Sequence, residues 1–254
     1  MIKLNSNTTS YNIPTSWDDI SFKQYKSLQV EKDEAKLISI LCNMPLSDVK
    51  LLSESSVSKI AILLSFVQTP IDLDSIEPVN EITTLEGVKI ALEDDIKCKS
   101  FGQKLYLHQI IKDSDNNIMS IIEDIVLIYS QEQITKKDFD ISKINELKGV
   151  LNEISLVSLY ATAMSYVLQL KTILEHEHNR LSSEPTREQK IAGIDSFNEY
   201  GVFNTIDALA GGDVTKYDQI ERMEYNVIFT KMARNKTQAI FDDNYRKVLK
   251  SSNK

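Results

Sequence analysis

The sequence predicts a mainly α fold, a multi-helix bundle carrying one or two small β-hairpins, and three observations lead there. Glycine and proline are scarce, 7 and 5 among 254 residues, whereas a protein of many short strands needs frequent turn residues. Apolar residues recur every three to four positions over most of the chain, the spacing that lines one face of a helix. Alternation with period two is confined to two short stretches. Hydrophobic residues make up 42% of the chain, enough to bury a core.

Taken in order, residues 1–14 read as a short hairpin. Ile2 and Leu4 alternate with polar residues on one side of an Asn-Thr-Thr-Ser turn, and Tyr11 and Ile13 do so on the other. Ser16 or Asp18 is the expected cap of a helix carrying Ile20, Phe22, Tyr25 and Leu28. A second helix is expected from Lys32 to Asn43, with Leu37, Ile38, Ile40 and Leu41 as its buried stripe. Pro45 stops it, and Ser47 is the expected N-cap of a single turn around Val49 and Leu52. Glu54 to Gln68 is helical in spacing, and Thr69-Pro70 closes the block. A β-hairpin is expected from Glu81 to Leu85 and Val88 to Leu92, turning at Glu86-Gly87.

From Phe101 the helical pattern returns, first around Leu105 to Ile111 and then around Ile118 to Ile128. A charged connection over 131–140 and a shorter piece near Ile144 to Leu151 follow. The longest helix is expected from Glu153 to Arg180, with Leu156, Leu159, Ala163, Tyr166, Val167, Leu170 and Leu174 on one stripe. Pro185 fits the first position of another helix, capped by Ser183 or a neighbour. A helix from Ser196 to Ala210 would align Phe197, Tyr200, Phe203, Ile206 and Leu209. Gly211-Gly212 would end it, and Asp213 would cap the next. The last segment, Arg234 to Lys250, keeps Ile240, Phe241, Tyr245 and Val248 on one side of an otherwise charged helix, as a docking tail or a solvated end. Three segments result: residues 1–70, a hairpin and helical unit; 71–181, a hairpin and long-helix unit; and 182–254, an aromatic helical segment.

One internal echo stands out. Asp18-Asp-Ile-Ser-Phe-Lys-Gln24 and Asp94-Asp-Ile-Lys-Cys-Lys-Ser-Phe-Gly-Gln103 share Asp-Asp-Ile and then Ser-Phe-x-Gln, with three more residues in the second copy. An internal two-fold repeat and a chance coincidence of common dipeptides are both open at this stage.

Composition narrows the function classes. A formal net charge of −8 argues against duplex DNA or an anionic membrane surface as the main partner, since both reward clustered lysine and arginine. No run of 18 apolar residues predicts a membrane span. Cys42 sits in an apolar run and reads as a core residue, Cys98 lies between two lysines, and this density predicts no disulfide scaffold. His108 lies on an apolar helix, and His176 and His178 point too far apart on a helix to share a metal. Adjacent acidic pairs at Asp18-Asp19, Asp94-Asp95 and Asp242-Asp243 read as caps at helix starts. Asp113-Ser-Asp-Asn-Asn117 lacks the glycine and glutamate of a calcium loop. Phosphate-cradling glycine motifs and a Gly-x-Ser-x-Gly elbow are absent. The expectation is therefore no catalytic residue, no metal and no cofactor.

The richest segment runs from Tyr200 to Asp218. As a helical hairpin its aromatics would form local core; as a ridge or groove they would receive a partner helix. Ile206-Asp-Ala-Leu-Ala210, Gly212-Asp-Val-Thr-Lys-Tyr-Asp218 and Tyr225 resemble the C-terminal part of phage tail assembly chaperones. Ile13-Pro-Thr-Ser-Trp17-Asp-Asp-Ile20 and Ser100-Phe-Gly-Gln103 are similar to other segments of that group. Phe203 and Tyr217 stand where tryptophan is frequent there. The resemblance implies a non-enzymatic protein that binds and solubilises a tape-measure-type helical protein, or another tail protein, in the host cytoplasm during assembly. With the acidic net charge, the expectation is no nucleic-acid or membrane partner and a possible homo-oligomer. The alternative is a structural component of the virion tail, neck or connector. The contact surface it points to is Phe197, Tyr200, Phe203, Tyr217 and Tyr225.

Overall fold

Two serines set where the organising helices begin. In the computed structural model Ser21 caps α1 (Phe22–Leu28) and Ser100 caps α5 (Phe101–Asp113). The structure describes residues 1–5, 10–72, 76, 81–84, 87–91, 99–115 and 117–252. Among them the chain is mainly helical, with two small antiparallel hairpins: β1 (Ile2–Asn5) with β2 (Ser10–Ile13), and β3 (Glu81–Thr83) with β4 (Lys89–Ala91). The further helices are α2 (Glu34–Cys42), α3 (Leu46–Val49), α4 (Glu54–Leu63), α6 (Ile118–Thr135), α7 (Leu156–Leu181), α8 (Arg187–Ile191), α9 (Phe203–Ala210), α10 (Tyr217–Arg222) and α11 (Tyr225–Ser252).

Contacts divide the chain into two compact units that interleave along the sequence. The first is Met1–Leu92, Ile118–Thr135 and Ser142–Ser165; the second is Glu93–Asn117, Lys136–Ile141 and Tyr166–Lys254. This differs from three consecutive segments. Stretches distant in sequence close on each other through backbone pairing, which residue spacing does not reveal.

In the first unit the β1–β2 hairpin pairs Ile2 with Ile13 and Leu4 with Tyr11, placing alternate side chains on one face. Tyr11 and Ile13 enter a core with Ile20, Ile38, Leu41, Cys42, Met44, Val49, Ile60 and Leu64. Trp17 packs edge-on against Phe66 at 5.5 Å and donates its indole N–H to the Thr69 carbonyl. Ser21 and Gln24 form a reciprocal capping box. The Gln24 N–H donates to Ser21 Oγ, and the Ser21 N–H donates to Gln24 Oε1. The Gln24 amide then donates to the Ile40 and Leu41 carbonyls at 3.0 and 2.9 Å, near the end of α2. Phe22 N–H donates to the Ile154 carbonyl and Leu156 N–H to the Ile20 carbonyl, each at 2.8 Å, tying α1 to the start of α7. β4 is pinned to α6 by Gln133, whose amide both accepts from Ala91 N–H and donates to the Ala91 carbonyl, replacing a neighbouring strand.

In the second unit the same device recurs. Ser100 and Gln103 form a capping box, Phe101 N–H donates to the Met223 carbonyl, and Tyr225 N–H donates to the Lys99 carbonyl, each backbone bond at 2.8 Å. The two Ser-Phe-x-Gln segments are thus structurally equivalent, each bridging antiparallel to the residue before another helix: Ser21 to Ser155, and Ser100 to Glu224. The Asp94-Asp95-Ile96 half of the echo, and Cys98, lie outside the described residues.

Several local expectations are corrected. The cap of α1 is Ser21, not Ser16 or Asp18, because Gln24 completes a box only with Ser21; Trp17–Asp19 form a 3₁₀ turn. α3 starts after Pro45, and Ser47 lies inside it. Thr186, paired with Gln189, caps α8, leaving Pro185 outside the helix. The longest helix is α11 with 28 residues, against 26 for α7. Residues 196–210 are not one helix: Gly201 adopts φ +49°, ψ −122°, a conformation reserved for glycine, and separates a 3₁₀ turn (Ile194–Tyr200) from α9. The turns at 6–9 and 85–86 lie outside the described residues. Asp213 caps the next turn, and Gly211 ends α9 with left-handed φ, as expected.

Gln24→Ala is expected to destabilise the protein by about 2 kcal/mol, since it removes a cap and strands two carbonyls in a buried place. Ser27→Ala, at a half-buried position whose hydroxyl bonds only the Lys23 carbonyl of its own helix, is expected to cost under about 0.5 kcal/mol. Urea denaturation followed by far-UV circular dichroism measures both.

Candidate partner-binding groove

The second unit carries a groove of about 520 Å³. Its apolar walls come from Phe101 and Leu105 of α5, Leu174 and Leu181 of α7, Val202 and Met232. Lys104, His108, Lys112, Glu177 and His178 supply its polar atoms. The groove closes at the end of α7, where Lys236 of α11 donates to the carbonyls of Arg180 and Ser182 at 3.1 and 2.7 Å. A cation there satisfies the terminal carbonyls and opposes the negative end of the helix dipole.

One ion pair lies low in this groove. Lys104 Nζ reaches Glu177 Oε2 at 2.6 Å, with the two side chains only 6% and 16% exposed. Below it, Lys104 faces the ring of Tyr225 at 5.9 Å, and Tyr225 stacks on Phe229, which in turn meets His176 at 4.8 Å. Burial raises the Tyr225 phenol well above its ordinary range. His108 is held below its usual value, first by burial and then by Lys104, with Lys112 adding to the effect and Glu177 opposing it.

The five aromatic positions singled out by sequence do not act as one face. Phe197, Tyr200 and Phe203 are exposed at 59%, 56% and 62%. They flank Gly201 and Val202, which line the groove directly. Tyr217 is half-buried and donates to Asp207 at 2.7 Å, which raises its phenol. Tyr225 is a correction: it is 2% exposed and supports the groove from below, because its N–H is spent on the bridge to Lys99 and its ring is roofed by Lys104. Sequence reasoning missed Lys104 and Glu177. They lie 73 positions apart, and no local pattern joins them.

A second, more polar recess of about 340 Å³ is lined by Tyr106, Phe139, Asp140, Ile141, Asp218, Glu221 and Arg222. Tyr106 donates to Glu221 at 3.4 Å, and burial raises the Glu221 carboxyl. This recess follows from helix packing. Gly102 lies so close to α10 that a Cβ there would stand 3.1 Å from the Glu221 carbonyl. Among the described residues no group of three histidine, cysteine or carboxylate side chains is placed to hold a metal, and no helix is long and apolar enough to cross a membrane. The chain matches no family model, no curated protein and no solved structure.

Two outcomes follow. Glu177→Gln leaves a buried ammonium without its counter-charge and is expected to cost about 3 kcal/mol, whereas Lys104→Met with Glu177→Leu recovers most of that loss; a double-mutant cycle in urea measures it. The depressed His108 value means the unfolded chain takes the proton first. The His108 contribution is complete above pH 6.5, the ordinary value, and is lost as pH falls below it. Between about pH 7 and 5.5, His108→Gln is expected to flatten the decline in denaturation midpoint relative to the parent.

Proposed function

We propose that this chain is a non-enzymatic phage tail assembly chaperone that holds a tape-measure-type helical protein in solution until tail subunits assemble around it. The observation that carries this reading is the exposed aromatic segment Phe197–Phe203 set against an apolar groove. Exposed aromatics beside a concave apolar surface are the parts a helix-in-groove contact uses. The similarity of Ile206–Ala210 and Gly212–Asp218 to that family's C-terminal motifs gives the reading its biological setting. A net charge of −8 suits a protein that must keep an apolar client soluble.

Co-expression with a long helical tape-measure protein tests it. The client's soluble fraction is expected to rise several-fold with the parent chain. It should fall back to the client-alone level with Phe197→Glu, Tyr200→Glu and Phe203→Glu combined, while the variant keeps its circular dichroism. No rescue by the parent chain would remove the chaperone reading. Stoichiometric peptides of this chain in purified particles would replace it with a structural role in the virion.

A further inference from the structure

α11 changes character along its length. Tyr225 and Ile228 are 2% exposed, yet in residues 237–251 every side chain but that of Asp242 is exposed. This outer stretch is not uniformly polar. Phe241, Tyr245, Val248 and Leu249 are 60%, 54%, 58% and 45% exposed and stand at i, i+4, i+7 and i+8, one face of the helix. Phe241 and Tyr245 already stack on each other at 6.0 Å. A four-turn helix end carrying such a stripe is marginal by itself in water.

We propose that this stripe is a self-association surface, at which a second copy of the chain lays the same stretch of α11 antiparallel across it, centred on Tyr245. Charge order along the stretch carries the choice of occupant. The acidic residues Asp242 and Asp243 come first, and the basic residues Arg246, Lys247 and Lys250 follow. An antiparallel copy puts the acidic level of each helix opposite the basic level of the other, whereas a parallel copy stacks acid on acid and base on base. On the flank of the stripe, Asp242 of each copy comes within reach of Arg246 of the other. Asp243 pairs with Lys247 in its own helix at 2.5 Å and stays on the solvent side. Arg246 and Lys250 act on the Asp243 carboxylate only through longer-range attraction, and Asp242 accepts from the Gln238 amide at 2.8 Å, which leaves its second oxygen for Arg246 of the other copy. Antiparallel helices also oppose their macrodipoles. The apolar seam then closes on itself, with Phe241 across from Leu249 of the other copy and Tyr245 on the two-fold axis. The contact spans few turns and falls in the small, reversible class of interfaces, below roughly 1,200 Å².

Sedimentation equilibrium over a concentration series in the range of about 1–100 µM tests the association. A monomer–dimer equilibrium is expected for the parent chain. Phe241→Glu with Tyr245→Glu is expected to be monomeric throughout, with the thermal midpoint of the dilute, monomeric parent chain and at most the helix signal of the last turns lost. Asp242→Lys with Asp243→Lys should weaken the dimer at least tenfold, and adding Arg246→Asp and Lys247→Asp should restore it. In a Cys98→Ser background, Phe241→Cys and Leu249→Cys chains should cross-link when mixed, while neither alone does so. A parent chain that stays monomeric, a dimer that survives the glutamate pair, or self-cross-linking of Phe241→Cys would each overturn the proposal. None of these readouts depends on a client protein, so they stand apart from the chaperone reading.

Discussion

The structure depends on one repeated constraint, an antiparallel backbone bridge made at the first residue of a capped helix. A helix start normally leaves donors without partners. Here the serine hydroxyl takes one of them, from the glutamine three positions on. The phenylalanine N–H between them is given to a carbonyl more than 120 positions away, from Ile154 in one unit and Met223 in the other. Because the returning strand donates in the opposite direction, from Leu156 or Tyr225, each bridge is closed on both sides. A helix start satisfied in this way fixes both the position and the direction of the helix it pairs with, so the bridges set how α1 meets α7 and how α5 meets α11.

The two bridges then serve different surroundings. In the first unit the residue after the phenylalanine is Lys23, exposed, and Gln24 spends its amide on the end of α2, so the capping residue also fastens a neighbour. In the second unit that position is Gly102, pressed against the Glu221 backbone, where any side chain would push α10 away. The next helical position after the box is half-buried Tyr25 in one unit and buried Lys104 in the other. One local frame thus supports an aliphatic and aromatic core in one unit, and a groove with an ion pair at its base in the other.

Helix content and most helix positions were legible in the sequence because they rest on spacing and caps that act within four residues. The echo of Ser-Phe-x-Gln was also legible, though its meaning was not, since each bridge partner lies far along the chain. Failures cluster where a single residue's conformation overrides periodicity. Phe197, Tyr200 and Phe203 recur at helical spacing, but Gly201 between them takes a positive φ and breaks the helix. Tyr225 was assigned to the contact surface through the family resemblance, while its burial comes from α5 and α7, which no local window contains. The Lys104–Glu177 pair was invisible for the same reason.

The groove's polarity bears on what it can recognise. A buried ion pair seldom adds net stability over a well-packed apolar pair, because desolvation offsets the attraction. At the base of this groove it has another consequence. Lys104 and Glu177 satisfy each other within the protein, so of the charged groups lining the groove Lys112 remains to face an occupant, and the rest of the contact would fall on the surrounding leucines, valine, methionine and the exposed aromatics. Recognition of that kind reads the shape and greasiness of a helix rather than its sequence. A client with a long, repetitive apolar stripe could then be met at many registers by many copies. On the proposed chaperone reading, the proposed pairing through the ends of α11 would let neighbouring copies on such a client reinforce one another without locking any one of them in place.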